Sequence, residues 1–342
     1  MIRVRRTIND VISKGTRMIM SEESVDFSTA HPEVYRFPFP AYPNGWFPVA
    51  LSHEIDVGTV KAVHRLGQDM VVYRAQSGSA HVVSAYCPHL GAHLGHGGTV
   101  QGEDLQCPFH HWRFGPDGRC TGAAGTKQIP RQGLTAYPCR ERNGAIFVWH
   151  DAKGRDPWWE VPEIPEASSP DYRLVMGKVY EFPSHPQEAF ENQPDTLHFR
   201  ALHGWDDVGM RWDCDMKKHT VELEISIPRS VDDRDATRGI DKILTTSVGP
   251  SCNYTIVSGE VRGLAVLNFC PTRAGQVYNP VYFFVHRDVS NENAAVWAQG
   301  YLREYEKDVI VWETKRYISN PPLTNADGEI WKMRKWYEKW YS

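Results

Sequence analysis

The stretches Cys87-Pro-His89 and Cys107-Pro-Phe-His110 determine how the first half of this 342-residue chain folds. Each stretch supplies one cysteine and one histidine, and seventeen residues separate the two stretches. The proline that follows each cysteine fixes φ and so stiffens the loop that carries the pair. Together the two stretches offer two thiolates and two imidazoles, which is a ligand set for a metal centre.

This mixed ligand set fits two kinds of centre. Zinc is also bound by two cysteines and two histidines, but zinc motifs usually place two cysteines close together and the histidine pair elsewhere. Here each loop contributes one residue of each kind, so that one iron can take both cysteines and the other iron both histidines. The spacing therefore favours a Rieske [2Fe–2S] cluster bound by Cys87, His89, Cys107 and His110 over a zinc site.

A second possible metal site follows at Asp195, His198 and His203. Asp195 and His198 are three residues apart and can share a helix face, so the carboxylate can accept a hydrogen bond from the imidazole. His203 is five residues beyond His198 and must come from a distorted turn or from the start of the next loop, beside Gly204. Two imidazoles and a carboxylate indicate a 2-His-1-carboxylate iron site, although two structural histidines in a core would leave the same pattern.

The pattern of apolar residues predicts an α+β protein whose first domain is all-β. Short alternating runs separated by turn residues cover residues 46–149, and both cluster motifs fall between such runs. Longer alternating runs over residues 174–286 predict one large antiparallel sheet. Two helices are predicted as well, one over Glu188–Leu202 that starts or kinks at Pro194, and one over Asn291–Arg316 that covers the sheet.

Turn-rich and proline-rich segments divide the chain into three parts. We predict a partly disordered N-terminal extension over residues 1–44 and a Rieske domain over residues 45–152. The remainder, residues 153–342, is predicted to be a helix-grip catalytic domain, in which helices cover an antiparallel sheet and enclose a pocket.

Composition and charge narrow the range of partners. A net charge of −4 gives no reason to expect binding to nucleic acid or to an anionic membrane surface. No run of eighteen apolar residues is present, so we predict no transmembrane helix. The seven cysteines lack disulfide-like spacing, and we therefore expect a reducing, cytoplasmic environment. No G-x-G-x-x-G sequence marks a dinucleotide-binding unit. A separate protein must therefore supply the electrons that reduce the predicted metal centres.

From about Gly45 to its C-terminus the chain resembles the oxygenase α subunit of Rieske non-haem iron oxygenases. The stretches Tyr86–His93 and Glu191–Gly204 fit the pattern of that family. Residues 307–341 resemble the C-terminal signature of the 3-ketosteroid 9α-hydroxylase oxygenases and the cholesterol 7-desaturases. One departure is His111, because members of the family usually have glycine directly after the second cluster histidine.

The resemblance also implies the third iron ligand. In the C-terminal signature the aspartate just ahead of the I/V-x-W element binds the iron, and this role carries over to Asp308. Glu304, Glu306 and Glu313 are the neighbouring competitors, and only the match to the signature singles out Asp308. The implied cofactors are the Rieske cluster and a mononuclear Fe(II), with O₂ as co-substrate.

By the same resemblance the chain would be an oxidoreductase of the EC 1.14 class that hydroxylates, demethylates or desaturates a small apolar substrate, such as a steroid or another polycyclic compound. Its electrons would come from an NAD(P)H-dependent reductase, with or without a ferredoxin. Relatives form head-to-tail homotrimers, because the two metal centres of one subunit lie too far apart for fast electron transfer. Asp195 would then bond His198 of its own chain and the cluster ligand His110 of the next. The alternative is a Rieske electron carrier fused to a non-catalytic lipid-binding domain.

Overall fold

A computed structural model describes residues 35–206, 208–228 and 237–342 of the chain. These residues form two compact units. The first contains residues 42–163 together with 272–274, and the second contains the remaining described residues. Most of the N-terminal extension predicted over residues 1–44, namely residues 1–34, lies outside the described residues.

The first unit consists of short antiparallel strands in three small sheets. The strands are β1 (Gly45–Leu51), β2 (Val60–Arg65), β3 (Gln68–Arg74), β4 (Ala80–Ser84), β5 (Thr99–Gln101), β6 (Asp104–Gln106), β7 (Arg113–Phe114), β8 (Cys120–Gly122), β9 (Cys139–Arg142) and β10 (Ala145–His150). The sheet orders are β1-β10-β9, β2-β3-β4 and β5-β6-β7-β8, and a 3-10 helix at Ser52–Glu54 follows β1. The cluster motifs lie in the loops β4–β5 and β6–β7, between strands as predicted.

The core of the first unit encloses the two motif cysteines. Val71 and Tyr73 on β3 are fully buried and belong to a cluster of apolar side chains that also includes Phe114 from β7. Cys87 and Cys107 are buried members of this same cluster. The loops that carry them are thus anchored by the packing of their own cysteines, which leaves the following histidines nearer the surface.

The second unit is one large antiparallel sheet with helices. Its strands are β11 (Tyr172–Phe182), β12 (Gly209–Cys214), β13 (Thr220–Ser226), β14 (Ile240–Val248), β15 (Cys252–Gly259), β16 (Gly263–Leu267), β17 (Cys270–Pro271) and β18 (Val277–His286). Its helices are α1 (Pro165–Ser168), α2 (Pro186–Phe190), α3 (Thr196–Ala201), α4 (Asn291–Thr314) and α5 (Ile330–Glu338), and a 3-10 helix at Lys339–Tyr341 follows α5. The sheet order is β11-β18-β16-β15-β14-β13-β12, with β17 paired to β18.

Helix α4 packs along this sheet and carries functional candidates on its buried face. The hydroxyl of Ser290 accepts a hydrogen bond from the Asn293 main-chain N–H, which caps the start of the helix. Trp297 and Tyr305 are buried, and the Tyr305 hydroxyl donates to Asn279 Oδ1 on β18 at 2.8 Å. These contacts fix the rotation of α4, so that Asp308 points inward as well.

The α+β class and the covering helix are confirmed. The predicted helix break is also confirmed, because α2 ends at Phe190 and α3 begins only at Thr196, two residues after Pro194. Helix α5 and the short strands β5–β8 were not predicted. None of the helices in the described ranges is both long and apolar enough to span a bilayer.

Candidate active site

Asp195 caps helix α3 and thereby positions His198. Its carboxylate accepts hydrogen bonds from the main-chain N–H groups of Leu197 and His198, both at 3.1 Å, as an N-cap residue does. The His198 ring also bonds to Asp195, but its Nδ1 lies 2.6 Å from the main-chain carbonyl oxygen. The sequence predicted a bond from the ring to the carboxylate, and this prediction is wrong in the structure because the carboxylate is engaged in capping.

His203 lies in a distorted turn just beyond the end of α3, as its spacing predicted. The next residue, Gly204, has a φ of +66°, a conformation that glycine adopts without steric cost. The Nδ1 atom of the His203 ring lies 2.9 Å from Oε2 of Glu304 on α4, and Lys307 donates to the same carboxylate. Glu304 therefore holds the ring from behind and leaves Nε2 facing the opposite way.

Asp308 on α4 completes a group of three side chains. Its Oδ1 atom lies 3.4 Å from His203 Nε2 and 4.0 Å from His198 Nε2. One possible ligand atom from each of the three residues lies within 4.8 Å of the other two. The Asn192 side-chain amide donates to Asp308 Oδ1 at 3.0 Å, and Trp312 Nε1 donates to the oxygen of that amide at 3.3 Å. The Asp308 carboxylate is therefore oriented by a hydrogen-bonded neighbour whose own orientation is fixed.

The competing carboxylates on α4 have other partners. Glu306 accepts hydrogen bonds from Lys178 at 2.5 Å and from Tyr180 at 3.0 Å. Glu304 contacts His203 through Nδ1, the nitrogen that faces away from Asp308. Within the described residues, the metal-ligand geometry that includes both histidines is found with Asp308.

The three residues fit the needs of a divalent iron. An acceptor oxygen at each histidine Nδ1 favours the tautomer with the proton on that nitrogen and leaves the Nε2 lone pair available. Burial lowers the pKa of His198 and so favours the neutral imidazole that ligation requires. Burial also opposes protonation of His203, but the carboxylates of Asp308 and Glu304 outweigh it and raise the pKa of His203. A 2-His-1-carboxylate set suits non-haem Fe(II) with open positions.

The four cluster-motif residues are also close together, in two layers. Cys87 and Cys107 are both buried, and burial is the main reason that the pKa of the Cys87 thiol rises to about 11, with the neighbouring Cys107 adding to it. The rings of His89 and His110 lie toward the surface with centroids 4.5 Å apart, and His89 stacks on Trp112. Two inner thiols and two outer imidazoles fit a cluster in which the cysteines bind one iron and the histidines the other.

His111 adopts the conformation that explains why glycine is usual at this position. Its φ is +55°, in the left-handed region that glycine adopts readily and that histidine tolerates at some cost. The side chain is exposed, so His111 does not disturb the packing of the neighbouring cluster loop. The turn itself is therefore retained without the glycine.

A largely apolar cavity that is partly open to solvent lies next to the three-residue group. Its lining comes from α3 and the turn after it, from strands β13–β15 and from α4, namely Phe199, His203, Trp205, Ile225, Ile243, Thr245, Thr255, Val257, Trp297, Tyr301, Glu304, Tyr305 and Asp308. The apolar character of this cavity and its few polar groups suit a small organic ligand. The histidine and carboxylate group thus lies where a bound molecule would meet it.

The sequence did not identify every residue of this site. Glu304 was considered only as a competing ligand, whereas it contacts His203 from behind. The cavity hydroxyls of Thr245, Thr255 and Tyr301 carry no motif, since they come together only through strand register and helix packing. Alternation along β14 and β15 would have placed the two threonines on one face of the sheet, but not beside α4.

Comparison with known proteins agrees with both halves of the site. Residues 45–138 match the Rieske [2Fe-2S] domain, and residues 148–341 match the 3-ketosteroid 9alpha-hydroxylase C-terminal domain. Solved structures with the same fold include dicamba monooxygenase bound to 3,6-dichlorosalicylic acid (TM-score 0.71, 17% identity, 87% of this chain and 97% of that one). NdmA of Pseudomonas putida CBB5 with caffeine is similar as well (TM-score 0.71, 21% identity, 86% and 89%).

Curated relatives match most of the chain. Cholesterol 7-desaturase of Bombyx mori is 36% identical over 332 residues, which cover 89% of this chain and 70% of the relative. The oxygenase component of 3-ketosteroid-9-alpha-monooxygenase from Rhodococcus rhodochrous is 26% identical over 337 residues, covering 88% and 84%. The chain therefore belongs to the Rieske non-haem iron oxygenases with a 3-ketosteroid 9α-hydroxylase C-terminal domain, oxidoreductases that use a Rieske [2Fe–2S] cluster, a mononuclear iron and O₂.

Proposed function

We propose that this chain is the oxygenase component of a multicomponent enzyme that hydroxylates, demethylates or desaturates a sterol-like molecule. The observation that carries the proposal is the group of His198, His203 and Asp308 at the wall of an apolar cavity. These three residues are the proposed iron ligands, and Cys87, His89, Cys107 and His110 are the proposed cluster ligands.

The substrate class follows from the cavity and the relatives together. The aromatic and aliphatic walls of the cavity favour a largely apolar molecule. The relatives in Bombyx mori and Rhodococcus rhodochrous are a cholesterol 7-desaturase and a 3-ketosteroid monooxygenase component. A sterol-like compound is therefore the first class to test.

Each surrounding residue has a task in this proposal. Iron bound by two imidazoles and one carboxylate supplies the open positions at which O₂ is activated. Glu304 and the Asp195 carbonyl hold the two imidazoles with Nε2 inward, and Asn192 holds the Asp308 carboxylate. Phe199 and Trp205 stack on each other and form the apolar wall of the cavity beside His203.

The electrons come from outside the chain in this proposal. An NAD(P)H-dependent reductase, directly or through a ferredoxin, would reduce the Rieske cluster, and chains would associate as a head-to-tail homotrimer. Asp195 would then reach the neighbouring chain's cluster ligand His110 through its carboxylate, while its main-chain carbonyl bonds the His198 ring. Asp195 is half-buried, and burial raises its pKa, which suits a carboxyl group at a covered surface. We expect Asp195→Asn, which keeps a capping side chain and removes the charge, to retain both metal centres and to lose most turnover.

Metal analysis with a substrate screen tests the proposed function. Protein purified without oxygen should contain about three irons and two acid-labile sulfides per chain, and the reduced sample should give a Rieske-type EPR spectrum. Asp308→Ala should contain about two irons with both sulfides retained. The wild-type protein should oxidise a sterol when given a surrogate reductase, and the variant should not.

The electron-carrier alternative makes a different prediction. A Rieske carrier would contain about two irons even after ferrous iron is added back, and Asp308→Ala would not change its metal content. That result would overturn the proposed iron ligands. Zinc without sulfide would contradict both candidate functions.

A further inference from the structure

Three hydroxyl groups form a chain in the wall of the cavity. Thr245 on β14 is paired in register with Thr255 on β15, and their Oγ1 atoms are 2.9 Å apart. The Thr255 Oγ1 atom lies 3.4 Å from the hydroxyl oxygen of Tyr301 on α4. All three residues line the cavity.

This hydroxyl chain is the polar feature of the cavity that lies away from the proposed iron ligands. Glu304 lies behind His203 and bonds to it, so it belongs to the metal side of the cavity. The hydroxyl of Tyr305 already donates to Asn279. The other lining side chains that do not belong to the metal side are aliphatic or aromatic, and the indole nitrogens of Trp205 and Trp297 are buried and inaccessible to solvent.

The hydroxyl chain has one donor more than its own contacts can use. Three hydroxyls carry three O–H donors, and each of the two contacts within the chain consumes one of them. Over the described ranges, no further hydrogen-bond partner is found for the hydroxyl of Thr245, Thr255 or Tyr301. One O–H group therefore faces an apolar enclosure without a protein acceptor, which is unfavourable unless a ligand or water supplies one.

We propose that the chain of Thr245, Thr255 and Tyr301 binds a single oxygen atom of the substrate, an alcohol or ketone oxygen on an otherwise apolar molecule. The inference deepens the proposed function and rests on it, since it takes the cavity to be the substrate site. An alcohol or a ketone offers the acceptor that the chain lacks, whereas a hydrocarbon does not.

We call the chain of Thr245, Thr255 and Tyr301 the oxygen anchor. The position of Tyr301 on α4 gives the distance between this anchor and the metal side of the cavity. Tyr301 precedes Asp308 by seven residues, about two helical turns or roughly 10 Å along the axis. The oxygen anchor and the metal side therefore lie at separate points along the length of the cavity. A substrate bound at its oxygen would present to Asp308 a carbon well removed from that oxygen, so the anchor determines which C–H bond is oxidised.

Binding of matched probes to the iron-loaded protein tests this inference without turnover. We would titrate the protein anaerobically and without reductase with cholesterol, with its 3-ketone and with cholest-5-ene, which lacks only the oxygen. Trp205 and Trp297 line the cavity, so quenching of tryptophan fluorescence reports binding. For each variant we would determine the ratio of the Kd values for hydrocarbon and alcohol. Differences in probe solubility are the same for every variant, so they cancel when the ratios of two variants are compared.

The expected result is a preference for oxygen that depends on the hydroxyl chain. In the wild type the alcohol and the ketone should bind about tenfold more tightly than the hydrocarbon. The triple variant Thr245→Val, Thr255→Val and Tyr301→Phe removes all three hydroxyls with little change in shape, and it should bring the ratio to within about twofold of unity. The control is Thr246→Val, since Thr246 is adjacent on β14 but on the opposite face of the sheet, and it should leave the ratio unchanged.

Two other outcomes overturn the inference and differ from each other. If sterols bind but the triple variant keeps the wild-type ratio, the anchor is wrong and the proposed function stands. If no probe binds to the wild type or to Thr246→Val, the proposed substrate class fails together with the anchor. Iron and sulfide contents equal to those of the wild type establish that each variant is folded.

Discussion

Glu304 orients the proposed iron ligand His203 and does not itself bind the iron in our proposal. Its carboxylate lies 2.9 Å from His203 Nδ1, on the side of the ring away from Asp308. Glu304→Gln keeps the shape but weakens the acceptor, and partners of this kind typically change metal affinity by about 10- to 100-fold. We therefore expect weaker binding of the mononuclear iron with an unchanged cluster, measured by titration of ferrous iron and by sulfide content.

Glu306→Gln is the matched control for this prediction. Glu306 lies two residues further along α4 and contacts Lys178 and Tyr180, away from the histidine pair. The variant Glu306→Gln should therefore leave the affinity for the mononuclear iron unchanged. If Glu304→Gln cannot be loaded even with excess iron, Glu304 is a ligand in its own right, and the assignment of Asp308 as the only carboxylate ligand fails.

The free-energy cost of the left-handed backbone conformation of His111 can be measured directly. Its φ of +55° costs a non-glycine residue about 1 kcal/mol, and a β-branched residue more. His111→Gly should therefore stabilise the cluster loop and His111→Val should destabilise it. The temperature at which the visible absorption of the cluster bleaches should rise in the first variant and fall in the second. A fall in both would mean that the His111 side chain itself supports the loop.

At the scale of elements, the sequence predicted helix α4 and the long strands, and it missed the short strands β5–β8 and helix α5. Helix α4 and the long strands of the second unit repeat at helical or strand spacing, and burial on one face maintains that pattern. Strands β5–β8 are two or three residues long, too short for any period to appear. Helix α5 does place Ile330, Met333 and Trp336 at helical spacing and buries all three, so its pattern was available in the sequence.

Residues of the site that are close in sequence could be predicted, whereas contacts between distant parts of the chain could not. The motifs identified His198 and His203 because these residues are close in sequence, and the resemblance supplied Asp308. The contact between Thr255 and Tyr301 joins a strand to a helix 46 residues away. No local pattern predicts such a contact, because it depends on how α4 is rotated against the sheet.

The turn at Thr324–Gly328 supports the segment that carries Asp195. Gly328 has a φ of +69°, and a Cβ added there would overlap the carbonyl oxygen of Pro194. Thr196 adds a hydrogen bond from its hydroxyl to the carbonyl of Ala326 at 3.0 Å. Gly328→Ala must therefore displace the start of α3, and we expect a loss of about 2 kcal/mol or more in stability. It should also release the mononuclear iron faster to a chelator.

Gly275→Ala provides the comparison for Gly328→Ala. Gly275 has a φ of +75°, and its added Cβ would meet Tyr35 at an ordinary distance of 3.6 Å. Both variants place alanine in a left-handed conformation, but only Gly328→Ala pushes on the Asp195 segment. Equal iron release from the two variants would show that backbone strain alone accounts for the effect.

At the scale of the whole molecule, exposed apolar side chains lie beside both metal sites. Leu90 and Phe109 are 65% and 59% exposed, next to the cluster histidines His89 and His110. Leu197, adjacent to His198 in the second unit, is 40% exposed. Large apolar side chains grouped on a surface indicate a contact face, and a head-to-tail ring of chains would cover both faces.

Mixed trimers test whether electrons pass between chains. Asp308→Ala chains would keep the cluster and lose the mononuclear iron, whereas His110→Ala chains would lose the intact cluster and keep the iron. Each variant alone should be inactive. In a head-to-tail ring assembled at random from equal amounts, about one interface in four joins an intact cluster to an intact iron. Purification through two different tags removes the uniform rings, and each mixed ring then has one such interface among its three, so we expect about a third of wild-type turnover. Transfer within a chain predicts none, because no chain then holds both centres, so an inactive mixture of metal-loaded trimers would exclude the proposed assembly.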